Sequence, residues 1–199
     1  MQNRKEYILE KAFEVFMTKG YDSASMTVLQ KELKMSRGAM YRYFESKEDL
    51  FKEVIDRYFF GLIRDLKLNH QEEMTLPERI RQEHEQQQSV AIYLDNIDYM
   101  EVKFLNYTAL AIQAAKRYPG FIEKLRKYRI ETIDAWTKSI QLSIKTGEIR
   151  PDVNVKILAH LFAKTMSFIN ITPEKNESFS KGYKKNKNVL EYIYSLIKV

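Results

Sequence analysis

Cysteine is absent from the 199 residues, which excludes disulfides, thiolate metal sites and a cysteine nucleophile. Glycine (6) and proline (4) are too scarce for a fold of many short strands joined by tight turns, so an all-α chain is expected. No apolar run approaches the roughly 20 residues that a membrane helix needs. The opening segment MQNRKEYILEKAFEVF is amphipathic and charged, unlike the apolar core of a signal peptide. A soluble, cytoplasmic protein with no membrane partner is the expectation. The three histidines, His70, His84 and His160, include no pair four residues apart, so no metal site is expected. Nucleophile-elbow, metal-ligand and phosphate-loop patterns are also missing, which argues against an enzyme, a catalytic residue or a cofactor.

A net charge of +6 invites a nucleic-acid reading, but its distribution does not carry one. Residues 1–50 hold nine Lys/Arg against eight Asp/Glu, whereas residues 150–199 hold nine against four. The excess lies away from the segment that resembles a DNA reader, so the motif must carry the argument.

Helical periodicity begins at once, with Ile8/Leu9, Ala12/Phe13 and Phe16 on one face and Gly20 as a left-handed stop. Ser25 can cap a second helix over 26–33, with Leu29 and Leu33 inside, and the turn Lys34-Met35-Ser36 leads to a third near 37–43. Ser46 followed by Asp49 opens a long helix expected over 47–68. Further helices are expected from Thr75-Leu76-Pro77-Glu78 to Leu94, then over 97–117, 121–146, 153–171 and 186–198. The polar stretch 172–185 reads as a loop, with Lys181–Lys187 a solvated cluster. Glu83, Glu85 and Glu101 read as surface residues.

Three short helices within 45 residues suggest a helix-turn-helix, whose third helix must offer small or polar groups to bases and flanking groups to phosphates. The run from Ser36 to Phe44 meets that demand. Arg37 and Arg42 can pair with guanine or phosphate, Gly38 and Ala39 allow close approach, and Tyr41 and Tyr43 offer hydroxyls. Met40 and Phe44, four apart, would pack inward. Lys47 adds charge at a helix start.

The run from Ile8 to Leu50 resembles the DNA-binding signature of the TetR family. Its markers stand in order: Ala12 and Phe16, Gly20-Tyr21, Ser25, Ser36, Gly38, Tyr41-x-x-Phe44 and Lys47-x-x-Leu50. The segment Gly147-Glu148-Ile149-Arg150-Pro151-Asp152 resembles the family's connector before its last two helices. Two positions depart from the pattern: Gln30 stands where the family usually has a small alanine, and Lys34 where the turn often has glycine.

The resemblance implies an all-α protein with an N-terminal three-helix DNA-binding domain, 1–46, and a helical effector-binding and dimerisation domain, 47–199. Helix 47–68 would link the two. It implies Ser25 and Met26 near a phosphate, Ser36, Tyr41, Tyr43 and Lys47 on the backbone, and Arg37, Gly38, Ala39 and Arg42 facing bases. By the same analogy Tyr58, Leu62, Phe104, Tyr107 and Trp136 would line an effector pocket, although aromatics at helical spacing are more often core. The last two helices, through Leu158, Leu161, Phe162, Val189, Ile193 and Leu196, would pair with their symmetry mates in a homodimer. The expected function is a repressor released from palindromic double-stranded operator DNA by a small apolar or amphipathic effector. The alternative is a helical adaptor that binds an acidic partner.

Overall fold

The computed structural model describes residues 4–61, 73–95, 103–165 and 178–199. Leu62 and Glu101 lie outside them, and the side chains of Phe104 and Tyr107 are likewise outside the description. Among the described residues the chain is helical: α1 (Arg4–Ser23), α2 (Met26–Glu32), α3 (Arg37–Tyr41), α4 (Lys47–Ile55), α5 (Leu76–Asp95), α6 (Lys103–Arg117), α7 (Phe121–Lys145), α8 (Val155–Thr165) and α9 (Phe179–Ile197). The all-α class is the observed one. No described helix is long and apolar enough to cross a membrane.

The chain divides into two compact units, Met1–Lys67 with Val102–Phe121, and Leu68–Glu101 with Ile122–Val199. In the first, α1 lays Ile8, Leu9, Ala12, Phe13 and Phe16 against α4, which answers with Leu50, Phe51, Val54 and Ile55. Aromatic rings fill that core. Phe16 meets Phe51 edge-on at 5.0 Å, and Tyr21 meets Phe51 at 4.6 Å. α6 packs along α1, and Tyr118 just beyond it donates a 2.7 Å hydrogen bond to Asp56.

The long helix expected over 47–68 is not uniform where it is described. After Ile55 the ladder widens into a π-helical turn, Asp56–Phe60, before Gly61. The wide turn brings the Asp56 carbonyl to 3.2 Å from where a Cβ on Gly61 would stand, a closeness that glycine tolerates.

In the second unit α5 and α7 run antiparallel, and α9 packs on α5. Trp136, Ile140, Leu76, Ile80, Leu158, Phe162 and Leu190 form the core, with Trp136 stacked on Phe162 at 5.0 Å. The C-terminus is pinned back on the connector: Arg150 N donates to Ile197 O at 2.9 Å and Val199 N to Glu148 O at 3.2 Å. Two expectations are corrected here. The stretch 172–185 is not a loop throughout, because Ser178 accepts a hydrogen bond from Lys181 N and starts α9 at Phe179. Glu83 is buried rather than on the surface, since it lies on the face of α5 that also buries Arg79 and Gln87.

Candidate nucleic-acid interface

The first unit presents α2 and α3 through a set of local devices. Ser25 Oγ accepts from Val28 N at 3.2 Å, satisfying an orphan amide at the start of α2. Leu29 and Leu33 are buried, fixing the inner face of α2. The chain then reverses through Lys34, which takes a left-handed backbone with φ 51°, and Met35 N donates to Gln30 O at 3.0 Å. The lysine thus occupies the conformation for which the departure from glycine was noted. Ser36 Oγ accepts from Ala39 N at 3.3 Å and caps α3.

α3 is one and a half turns long, yet its two sides differ sharply. Met40 and Phe44 are fully buried, locking the helix to the core. Tyr41 and Tyr43 are 41% and 38% exposed, and Arg37, Gly38 and Arg42 are exposed beside them. The Arg37 guanidinium lies 5.5 Å from the centre of the Tyr41 ring, a cation–π contact that holds both on one side. Ala39 is half-buried, and so is Met26 at the start of α2. A short helix with an anchored inner edge and an outer edge of Arg, Gly, Tyr and Arg can enter a major groove with bidentate donors leading.

The start of α4 forms the flank. Ser46 Oγ accepts from Asp49 N at 3.0 Å, and Asp49 Oδ2 accepts from Glu45 N at 3.2 Å, a variant of the capping box shifted one residue back. Lys47 does not project freely: its Nζ donates to the Tyr21 carbonyl at 2.8 Å and lies 4.0 Å from the Tyr21 ring centre. Tyr21 OH donates to Glu48 Oε1 at 2.8 Å. Burial, then the bond to Glu48, pushes the Tyr21 pKa up to about 12. Backbone hydrogen bonding at the helix start, then the Tyr21 hydroxyl, holds the Glu48 carboxyl below its ordinary value. Arg117 closes the group, 5.4 Å from the Tyr21 ring centre and 3.2 Å from Asp22. Sequence reasoning noticed Gly20-Tyr21 only as a marker of resemblance; the organising role of Tyr21 was not visible.

Other expected site residues are placed as follows. Tyr58 belongs to the core of the first unit, stacked on Phe13 at 4.7 Å, and Trp136 to the core of the second. Leu158 and Phe162 are buried against Trp136 and its neighbours, with Ile193 partly buried beside them. Leu161, Val189 and Leu196 are exposed, together with Ile157 and Tyr192.

Residues 8–54 match the family described as bacterial regulatory proteins, tetR family. The N-terminal quarter of the chain is thus TetR-like. Among similar proteins, the uncharacterized HTH-type transcriptional regulator YuxN of Bacillus subtilis (strain 168) is 41% identical over 59 residues, 30% of this chain and 20% of that protein. This chain therefore spans about a fifth of that relative's length. The HTH-type transcriptional repressor DhaR of Mycobacterium sp. (strain GP1) is 22% identical over 159 residues, 78% of this chain and 74% of that protein. A TetR transcriptional regulator from Chloroflexus aurantiacus J-10-FL shares the fold with a TM-score of 0.68 and 22% identity, covering 100% of this chain and 98% of that one. The TetR-family match thus falls on α1 through α4, the segment whose geometry suits a DNA groove.

Proposed function

We propose that this chain acts as a ligand-responsive repressor, a cytoplasmic homodimer that holds a near-palindromic operator until a small molecule binds. The observation that carries the reading is the two-sidedness of α3: Met40 and Phe44 buried, with Arg37, Tyr41, Arg42 and Tyr43 exposed. Base choice belongs to Arg37, Gly38, Ala39 and Arg42. Register belongs to the phosphate contacts of Ser25, Met26, Ser36, Tyr41, Tyr43 and Lys47. Repression is the role that the DhaR relative is named for, and IcaR of Staphylococcus epidermidis, 24% identical over 72 residues, is named a negative regulator.

Residues 1–46 read DNA; residues 47–199 hold effector and dimer surfaces, with helix 47–68 as the link. The dimer surface is the exposed apolar stripe Ile157 and Leu161 on α8 with Val189, Tyr192 and Leu196 on α9. The spacing of 189, 192 and 196 keeps the α9 residues on one side of that helix. Leu158 and Phe162 serve by stiffening the wall behind it. A two-fold dimer must set its two α3 helices about 34–36 Å apart to reach successive grooves. An effector that changes that separation weakens DNA binding, and by linkage DNA weakens the effector equally.

The test is a footprint on the DNA upstream of the chain's own gene, with light scattering on the same sample. A protected near-palindrome, weakened in Arg37→Ala, and a protein particle whose mass is halved by Leu196→Glu are expected. Binding with no preference over competitor DNA by the intact dimer would overturn the reading.

A further inference from the structure

The interior of the second unit holds a positive charge that reading DNA does not require. α5 and α7 are tied by two side-chain hydrogen bonds: Leu76 N donates to Ser143 Oγ at 2.7 Å, and Arg79 Nε donates to Ser139 Oγ at 2.6 Å. Arg79 is only 2% exposed, and its Nη1 is buried with no hydrogen-bond partner. Among the described residues it makes no ion pair. Burial pushes its pKa down, and Glu83, one turn along α5 and itself buried, favours the charged form. A guanidinium does not escape by losing its proton, so an unpaired one in a core is a costly arrangement that a serine hydroxyl cannot neutralise.

Two further donors occupy the facing sides of these helices. Trp136 Nε1, one turn before Ser139 on α7, is buried without a partner. Gln86, seven residues after Arg79 and hence on the same side of α5, has both amide atoms buried without partners. The register set by the two serine bonds continues antiparallel, so Trp136 stands opposite the stretch between Arg79 and Gln86. Leu76, Ile80, Ile140 and Phe162 surround the indole with apolar surface. Orphan donors with a formal positive charge, set in apolar walls, match an anionic oxygen acceptor carried on an apolar body.

We propose that Arg79, Trp136 and Gln86 bind the carboxylate of a small organic acid, which is the effector's polar end. The proposal rests on the effector-binding role given above to residues 47–199. Two oxygens of a carboxylate accept from the guanidinium fork, and the indole and amide N–H groups complete the acceptor's shell.

The experiment is thermal unfolding and calorimetry on the full chain with benzoate and hexanoate at millimolar concentration. Benzyl alcohol and hexan-1-ol serve as neutral matches, and inorganic phosphate as a separate arm. The two acids should raise the melting temperature and the alcohols should not. Arg79→Met should abolish the acid shift and raise the melting temperature of the ligand-free protein by about 3 °C, because an unpaired buried charge has been removed. Trp136→Phe keeps the ring stack and should weaken acid binding about tenfold, the value of one hydrogen bond to a charged group.

No shift with either acid, equal shifts with the alcohols, a shift with phosphate alone, or an Arg79→Met protein that is destabilised or fails to fold would each overturn the proposal. An adverse result for the effector role is separable. Acid binding that depends on Arg79 but leaves operator affinity unchanged would keep the site and discard its regulatory use. Operator release by a ligand indifferent to Arg79→Met would keep the regulation and discard the site.

Discussion

The two compact units bury different chemistry. In the first, the described interior is apolar and aromatic, built from Phe13, Phe16, Tyr21, Phe51 and Tyr58 with Leu, Ile, Met and Val between them. In the second, Arg79, Glu83, Gln87, Ser139 and Ser143 are buried along with the core, and no buried polar side chain of this kind is described in the first. An apolar aromatic core has one good arrangement and little to gain from a ligand. A core holding orphan donors is poised to gain from one, because each unmet group is a penalty that a suitable acceptor removes. That contrast fits the proposed roles, a DNA-reading head in the first unit and a ligand-responsive body in the second.

The sharpest way to break that contrast is to delete a ring from the head and a charge from the body. Phe16→Ala should destabilise by about 3–5 kcal/mol, since Phe16 is fully buried between Tyr21 and Phe51. Urea unfolding measures this, and a loss below about 1 kcal/mol would mean the head is not the tightly packed unit described. The sign is opposite to that expected for Arg79→Met in the body. Next in size is the surface of the head. Arg37→Ala should lower operator affinity by about 1–3 kcal/mol and relax base preference, with the melting temperature unchanged. Titration against operator and scrambled DNA at one salt concentration checks both statements. Equal losses on the two DNAs would move Arg37 from base reading to phosphate binding.

How much of this was legible depended on whether the governing interaction is local. The caps at Ser25 and Ser46 were readable because each bonds an amide three residues away. The inward side of α3 was readable because Met40 and Phe44 are four apart. The start of α9 was missed because a run of lysines and asparagines outweighed Ser178, although that face is held by packing on α5. Arg79 and Glu83 were missed for a related reason: periodicity treats a charged residue as an outward one, and only tertiary packing reverses it. Tyr58 was assigned to a pocket by analogy with the family; its ring stacks on Phe13, forty-five residues away in the chain, a contact that periodicity does not reveal. The π-helical turn at 56–60 has no sequence signature beyond Gly61.

A smaller effect separates the head's rigid edge from its reading surface. Lys47→Ala removes a hydrogen bond to Tyr21 O and a cation over the Tyr21 ring, together worth about 1 kcal/mol of stability. It should also lower the salt slope of operator binding by about one unit without changing sequence choice. The same cluster makes the head sensitive to alkali. Tyr21 ionises near 10 when unfolded but at about 12 when folded, so its contribution is complete below pH 10 and is lost as pH rises towards 12. Melting temperatures of wild type and Tyr21→Phe should therefore converge across that window. Parallel curves would remove Tyr21 from the account.

The least effect expected lies in the turn between α2 and α3, where Lys34 holds φ 51°. A side chain in the left-handed region crowds its own carbonyl, at about 1 kcal/mol, whereas glycine feels no such contact. Lys34→Gly relieves that strain but gives the unfolded chain more freedom, so the net gain should be only about 0.5 kcal/mol. Because Lys34 is exposed and reaches no described partner through its side chain, the gain should come with α3 unmoved. Unfolding at several urea concentrations gives the first number, and operator affinity reports the second. A stabilised variant that binds operator more weakly would show that the lysine touches phosphate, and that the strain in the turn is retained for a DNA contact.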